Sequence, residues 1–448
     1  MTKKLIIAPR APPLQQIPQG TAEGNIMSVI QNLVAREILD SRGRPTVEAT
    51  CELDSGDVGT ASIPSGASTG KAEALELRDD DPSRYSGFGC LRAVQNVNHE
   101  IARSVKREPF DSLAHFDNHL IALDGTPNKS RLGANAILAC SLAFARAMAS
   151  RRNIPLYAYF AASVGAKTHT LPRLTINLFS GGKHAGGQVE IQDILMVPRA
   201  STISDSLAQA HAVFYSAAKL CAEKYNMRLL RADEGGLAPP APSIESLFDD
   251  AVAAIQHAGL TPGADVALAL DVASSHFYND NRYTLAGESL DSAAMIQRIT
   301  HWVTNWPIVS VEDALSEEDW LNWPALRTAI SKHALVLGDD FLCTNPQRIR
   351  RAIDQRCASA LLLKVNQIGT LTEAAEARRL AKSAGWQVTV SARSGETEDH
   401  WLADLAVAWG DQIKVGAITQ SERLAKYNRL LAIESETQWA INAWPSSS

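Results

Sequence analysis

The 448-residue chain lacks any Cys-x-x-Cys pair; its six cysteines, Cys51, Cys90, Cys140, Cys221, Cys343 and Cys357, are scattered. That spacing argues against a disulfide framework and reads as free thiols in a reducing compartment. The chain also lacks an excess of positive charge. Its formal net charge is -6, which argues against a nucleic-acid-binding surface as its main function. No apolar run reaches membrane-spanning length, and the early run "LIIA" is too short for a signal-peptide core. Together these absences predict a cytoplasmic protein with neither nucleic acid nor membrane as partner. What is present is ordinary globular composition, 45% hydrophobic and 21% charged. The length suits one large domain and a smaller one.

Residues 1–27, with Pro9, Pro12, Pro13 and Pro18, read as a disordered or loosely docked arm. Residues 28–165 read as a small α+β domain. "VIQNLVAREILDSRGRPTVEATCELDSG" alternates apolar and polar residues between turn signals, and the pattern turns helical from about Leu91 to Phe160. Residues 166–448 look different. The apolar runs "VALALD", "IVSVED", "LVLGDD", "ALLLKVN", "QVTVSARS" and "DQIKVG" recur with helix-like segments between most of them. Continuous apolar runs suit strands buried on both faces of a parallel sheet, either a wound sheet or a (β/α) barrel. Each run ends in a charged group: Asp271, Glu312, Asp339, Lys364, Arg393 and Lys414. Their spacing is of the order of the roughly 30 residues that one unit of an eight-fold barrel occupies. A barrel gathers its C-terminal strand ends at one mouth, whereas a wound sheet spreads them along an edge.

Asp271, Glu312 and Asp339 would make an oxygen-only site suited to a hard cation such as Mg²⁺. In each of the pairs Glu312-Asp313 and Asp339-Asp340, either acid could face the site. A lysine within "LLLKVN" is costly to bury charged, so Lys364 needs a carboxylate partner or a lowered pKa, and a lowered pKa suits a general base. "SGASTGKA" is one spacer short of a P-loop and lacks the hydroxyl after its lysine, which excludes the nucleotide reading. Its Ser65, Ser68 and Thr69 could still close over an oxyanion. His184 lies in a second glycine-rich loop, and Glu234 in "RADEGG" is a candidate acid beside a turn.

The strings "AREILDSRGRPTVE", "PSGASTG", "LGANAIL", "GGKHAGG", "DEGG", "IVSVED", "LLLKVNQIGTLTEA", "RSGETED" and "SERLAKYNRLL" resemble the enolase (phosphopyruvate hydratase) family, in the same order, from about Ala35 to Glu434. The resemblance implies a modified (β/α)8 barrel capped by a smaller N-terminal α+β domain, working as a homodimer or higher homo-oligomer. It implies a Mg²⁺-dependent hydro-lyase, with two ions per site, the second linked to substrate. The reaction would remove water from the small anionic substrate 2-phosphoglycerate, through an ene-diolate, to give phosphoenolpyruvate. By resemblance Asp271, Glu312 and Asp339 are metal ligands, Lys364 is the base for the C2 proton, and Glu234 is the acid for the departing hydroxyl. Lys414 would contact the substrate carboxylate, Arg393 and Ser394 the phosphate, and His184 the pocket. Ser68 would close on the second metal and on the substrate.

Some positions depart from the family. Ala392 stands in "SARSGE" where the family has a histidine. Asp193 follows Gln192 where the family has the longer glutamate. Ala314 and Ile418 replace prolines. The carboxylates, the base and the arginine remain, so three readings follow. One is an enolase. Another is a paralogue acting on a related substrate, such as a carboxyphosphonoenolpyruvate synthase of phosphonate natural-product biosynthesis. The third is a non-catalytic enolase-like binding protein.

Overall fold

The computed structural model describes residues 27–66 and 70–444. Residues 1–26 of the expected arm, and Ser68, lie outside them. The first elements form a meander: strand Ser28–Leu39 pairs antiparallel with Pro45–Leu53, which pairs with Val58–Ser62. Asp40 shapes the first turn, its carboxylate accepting the N–H of Arg42 at 2.8 Å and of Arg44 at 3.0 Å.

Helix Ala134–Arg151 packs on this sheet. Its alanines let it lie close. A Cβ at Gly59 would stand 2.2 Å from the Ala143 carbonyl, so glycine is required where strand and helix backbones meet. The helix is buried nearly all round because its other side faces the C-terminal domain. There Ser141 Oγ accepts the Leu371 N–H at 3.3 Å.

Eight strands then close into a barrel. In chain order they are Arg173–Ser180, Asp193–Pro198, Val266–Asp271, Ile308–Glu312, Leu335–Gly338, Ala360–Leu363, Gln387–Ser391 and Gln412–Gly416. The last six are the apolar runs picked out in the sequence. All six residues of Val266–Asp271 are buried, as expected of a strand enclosed by barrel interior and helices. The second strand is antiparallel to both neighbours, and the other adjacent pairs are parallel. The fold is thus a mixed α/β barrel with a smaller N-terminal domain.

Between the domains, Ser41 N–H donates to the Glu396 carbonyl at 2.8 Å, and Ser65 pairs with Gly395 as an isolated bridge. Trp401 Nε1 donates to the Ser62 carbonyl at 3.0 Å, and Arg146 pairs with Asp399. All six cysteines are buried free thiols. Among the described residues no helix is long and apolar enough to cross a membrane.

Candidate active site

Parallel strands place their last residues side by side. Register sets Glu312 against Asp271 on one side and against Leu337 on the other. Asp339 follows Gly338, where a Cβ would meet the Leu342 side chain at 2.7 Å, so glycine lets the chain turn tightly there. Lys364 follows the sixth strand, and Lys414 lies within the eighth. Lys414 Nζ donates to Asp271 Oδ2 at 2.8 Å and to Glu312 Oε1 and Oε2 at 3.0 and 2.8 Å. Lys364 Nζ pairs with Asp339 Oδ2. The strand-end groups therefore meet at one mouth.

The choice within the acid pairs is partly settled. Asp313 takes a left-handed φ of 44° and its carboxylate accepts the N–H groups of Asp339 and Asp340 at 2.9 and 2.8 Å. It fixes the neighbouring strand end while Glu312 faces Lys414. Carboxylate oxygens of Asp313, Asp339 and Asp340 nevertheless all lie within 4.8 Å of one another. Buried carboxylates this close are a candidate metal site.

The second strand carries the other side of the site. Because it runs backwards, its first residue, Asp193, comes to the mouth and pairs in register with Asp271. Asp193 Oδ2 lies 3.0 Å from His184 Nδ1, while its Oδ1 accepts from Asn177 Nδ2 at 2.9 Å and from Ser180 Oγ at 2.5 Å. Asn177 also donates to Glu234 Oε2 at 3.1 Å, and His184 Nε2 is 3.8 Å from Glu234 Oε1. His184, Gln192, Glu234, Asp271, Lys364, Ala392, Arg393, Ser394 and Lys414 all line one small cleft, and Asp193 stands behind it, bonded to His184. Every predicted site residue among the described ones is thus at this cleft or touches a group that lines it.

Burial and charge decide the protonation states. Burial pulls Lys414 down, but Asp271 and Glu312 outweigh it and hold it well above the usual lysine range. Burial pushes Asp271 up, but Lys414 brings it to about 2. Two carboxylates share that one ammonium, so Glu312 goes the other way, raised well above its ordinary value by burial and by Asp271. Burial also lowers Lys364, yet Asp339 reverses this and the net shift is upward. Of the two expectations for Lys364, the carboxylate partner is the one found; a lowered pKa is not.

At the other side, burial lowers His184, but Glu234 and Asp193 raise it to about 9. Burial raises Glu234, and the cationic His184 overcomes that and draws it below the usual range. These opposite directions favour an ion pair between His184 and Glu234, 3.8 Å apart. Asp193 is raised, chiefly by burial.

Several residues at the site were not singled out from sequence. Glu73 forms a paired contact with Arg393, Gln367 donates to Asp339 Oδ1 at 2.8 Å, and Arg42 donates to Ser394 Oγ at 3.1 Å. Asn366 and Gln367 follow a buried strand directly, a signal as visible as the lysine before them. Glu73 and Arg42 come from the N-terminal domain and had no such signal.

The matches to known families agree with this geometry. Residues 168–442 match the family model described as "Enolase, C-terminal TIM barrel domain", and residues 30–160 match "Enolase, N-terminal domain". The chain belongs to the enolase family. Within an enolase-type barrel, the paired lysines and carboxylates stand at the C-terminal strand ends, where barrel active sites form. Family membership and the buried acidic groups support an enolase-like metal-dependent lyase.

Proposed function

We propose that this enolase-family protein removes water from 2-phosphoglycerate, or from a close phospho or phosphono analogue, using Mg²⁺. The observation that carries the reading is the opposition of two groups across one cleft. Lys364 follows the sixth strand, which stands opposite the second in the barrel order, while His184 and Glu234 are tied to Asp193 of the second strand and Asn177 of the first.

The donor set fits a hard divalent cation. Asp271, Glu312 and Asp339 offer only oxygen, are buried, and carry three carboxylates against two lysines, with Glu312 pushed upward by burial and by Asp271. Held by these three residues, Mg²⁺ would supply positive charge beside the substrate carboxylate and would compete with Lys364 for Asp339. A second ion would be linked to substrate, with Ser68 among its contacts.

Lys364 Nζ takes the C2 proton, a role that burial favours once its ion pair is loosened. The proton held by His184 passes to Glu234 and from there to the C3 hydroxyl, which departs as water. Asp193 holds His184 in place. Lys414 meets the substrate carboxylate; Arg393 and Ser394 meet its phosphorus-bound oxygens. The protein acts as a homodimer or larger homo-oligomer in the cytoplasm. The test is Mg²⁺-dependent growth of enol absorbance from 2-phosphoglycerate. Turnover at a rate usual for enolases is expected, and purified protein that turns it over only feebly overturns that substrate.

One observation favours a second reading. Ala392 lines the cleft and adds only a methyl group to its wall. That leaves room for a bulkier substrate, such as one with an extra carboxylate on phosphorus. A carboxyphosphonoenolpyruvate synthase would fit this, and turnover of the phosphonate analogue with little of 2-phosphoglycerate would support it.

A further inference from the structure

The N-terminal domain sends one carboxylate into the barrel mouth. The side chain of Glu73 is only 6% exposed and that of its partner, Arg393, only 3%. Two nearly parallel hydrogen bonds join them, Nη1 to Oε2 at 3.1 Å and Nη2 to Oε1 at 3.2 Å. Asn366 Oδ1 accepts from the same Nη1 at 2.8 Å. A guanidinium held by three such contacts has its plane fixed. Glu73 is itself fixed, since its Oε1 accepts the Gly70 N–H at 3.1 Å. It also reaches the metal-ligand side: Gln367 Nε2 lies 3.4 Å from Glu73 Oε1 and 2.8 Å from Asp339 Oδ1.

Buried charge makes this contact consequential. Removing one partner of a buried ion pair leaves the other uncompensated, which is far more costly than losing a surface pair. Arg393 already feels Asp339 as its next carboxylate after Glu73. Without Glu73 its cation would turn toward Asp339. That would take the guanidinium out of the cleft wall and occupy a candidate metal ligand.

We infer that Glu73 is a positioning residue, which holds Arg393 for a substrate oxyanion and keeps it off Asp339. One side chain of the small domain thereby supports both the anion contact and the metal carboxylate. This rests on the role proposed above for Arg393.

The test uses the full chain with Mg²⁺ and inorganic phosphate as probe, read as the rise in melting temperature with ligand concentration. Glu73→Gln keeps the shape and removes the charge; it is expected to weaken phosphate binding roughly tenfold or more, and Mg²⁺ binding in the same direction. Glu73→Asp keeps the charge and recovers part of the loss. Asp399→Asn breaks the ion pair with Arg146 between the domains, outside the cleft. It is expected to lower the melting temperature while leaving phosphate affinity unchanged. With 2-phosphoglycerate, Glu73→Gln raises KM more than it lowers kcat. The inference is overturned if Glu73→Gln binds phosphate as tightly as the parent or more tightly. Equal losses in Glu73→Gln and Asp399→Asn also overturn it, because they make Glu73 a docking contact only. A parent protein that binds Mg²⁺ and phosphate but leaves 2-phosphoglycerate unchanged refutes the dehydration reading and spares Glu73. A parent that dehydrates it, with Glu73→Gln unaffected, does the reverse.

Discussion

The two sides of the cleft are held by different kinds of structure. On the lysine side, Asp271, Glu312, Asp339, Lys364 and Lys414 come from the third to sixth and the eighth strands or the residues just beyond them; Lys364 pairs with the neighbouring Asp339, and Lys414 reaches across the mouth to Asp271 and Glu312. On the histidine side, Asp193 comes from the one reversed strand, while His184 and Glu234 come from loop segments. Barrel register sets the height of the first group from the backbone alone. The second group relies on side-chain hydrogen bonds through Asn177 and Ser180. The lysine side keeps its carboxylates and both lysines, although Ala314 and Ile418 stand near them in place of prolines, whereas the shortened acid, Asp193, is on the histidine side and Ala392 is on the cleft wall. Chemistry fixed by sheet geometry tolerates little change, but loops and walls can be altered without disturbing the barrel.

The hardest break in this contrast is at Lys364. Replacement by methionine removes the proposed base and leaves Asp339 without its ammonium. Dehydration of 2-phosphoglycerate should fall by about 10²–10⁴-fold, the usual worth of a general base. Exchange of the C2 hydrogen with deuterated solvent, followed by proton NMR, should fall with it. Undiminished exchange would assign the base elsewhere.

The histidine side is probed through pH. His184 has a folded value of about 9 against an ordinary value of 6.5, held up by Glu234 and Asp193. A raised folded value gives stability that is complete below about pH 6.5 and lost as pH rises through about 9. The contribution is on the order of 3 kcal/mol. Urea unfolding of the parent should therefore weaken over that window, while His184→Gln, weaker at low pH, should show a flatter profile. Parallel profiles would mean that the histidine is not held cationic.

Metal binding tests the lysine side again, by a smaller effect. Mg²⁺ at a hundredfold its dissociation constant stabilises a native protein by about 2.7 kcal/mol. Asp271→Asn should abolish the Mg²⁺-dependent rise in melting temperature. An unchanged rise would place the ion elsewhere, the Asp313, Asp339 and Asp340 group being the next candidate.

Much of the lysine side was legible in the sequence because strand burial and strand ends leave a local mark. "VALALD" ends in a ligand candidate and "LLLK" in a base candidate, each visible within a few residues. The reversed strand was not legible in this way: "DILMVP" puts its acid first, and only the antiparallel pairing brings Asp193 to the mouth. Glu73 was hidden for a different reason. Nothing in "GKAEALE" signals a contact with an arginine 320 residues away. Lys364 was read correctly as a residue needing a partner, but its direction of shift depends on Asp339, which lies on another strand. The protonation of Glu234 likewise depends on a histidine from a separate loop.

The sharpest comparison, though the smallest in energy, concerns the cleft wall itself. Ala392 is buried beside Arg393 and Ser394, and its N–H donates to the Lys414 carbonyl at 2.8 Å. That backbone bond fixes where any side chain at this position would point from, so a larger residue has to use space inside the cleft. Ala392→His should therefore discriminate between substrates more than it damages the enzyme. If the space serves a group on phosphorus, kcat/KM for the phosphonate analogue should fall by about tenfold or more relative to that for 2-phosphoglycerate, the scale on which a filled pocket rejects an added group. The parent and variant are compared with both substrates under the same Mg²⁺ concentration. An equal loss with both would show that the added ring only disturbs Lys414 or Arg393. A gain with 2-phosphoglycerate, together with no turnover of the analogue by the parent, would show that the alanine is merely an imperfect version of the usual pocket wall.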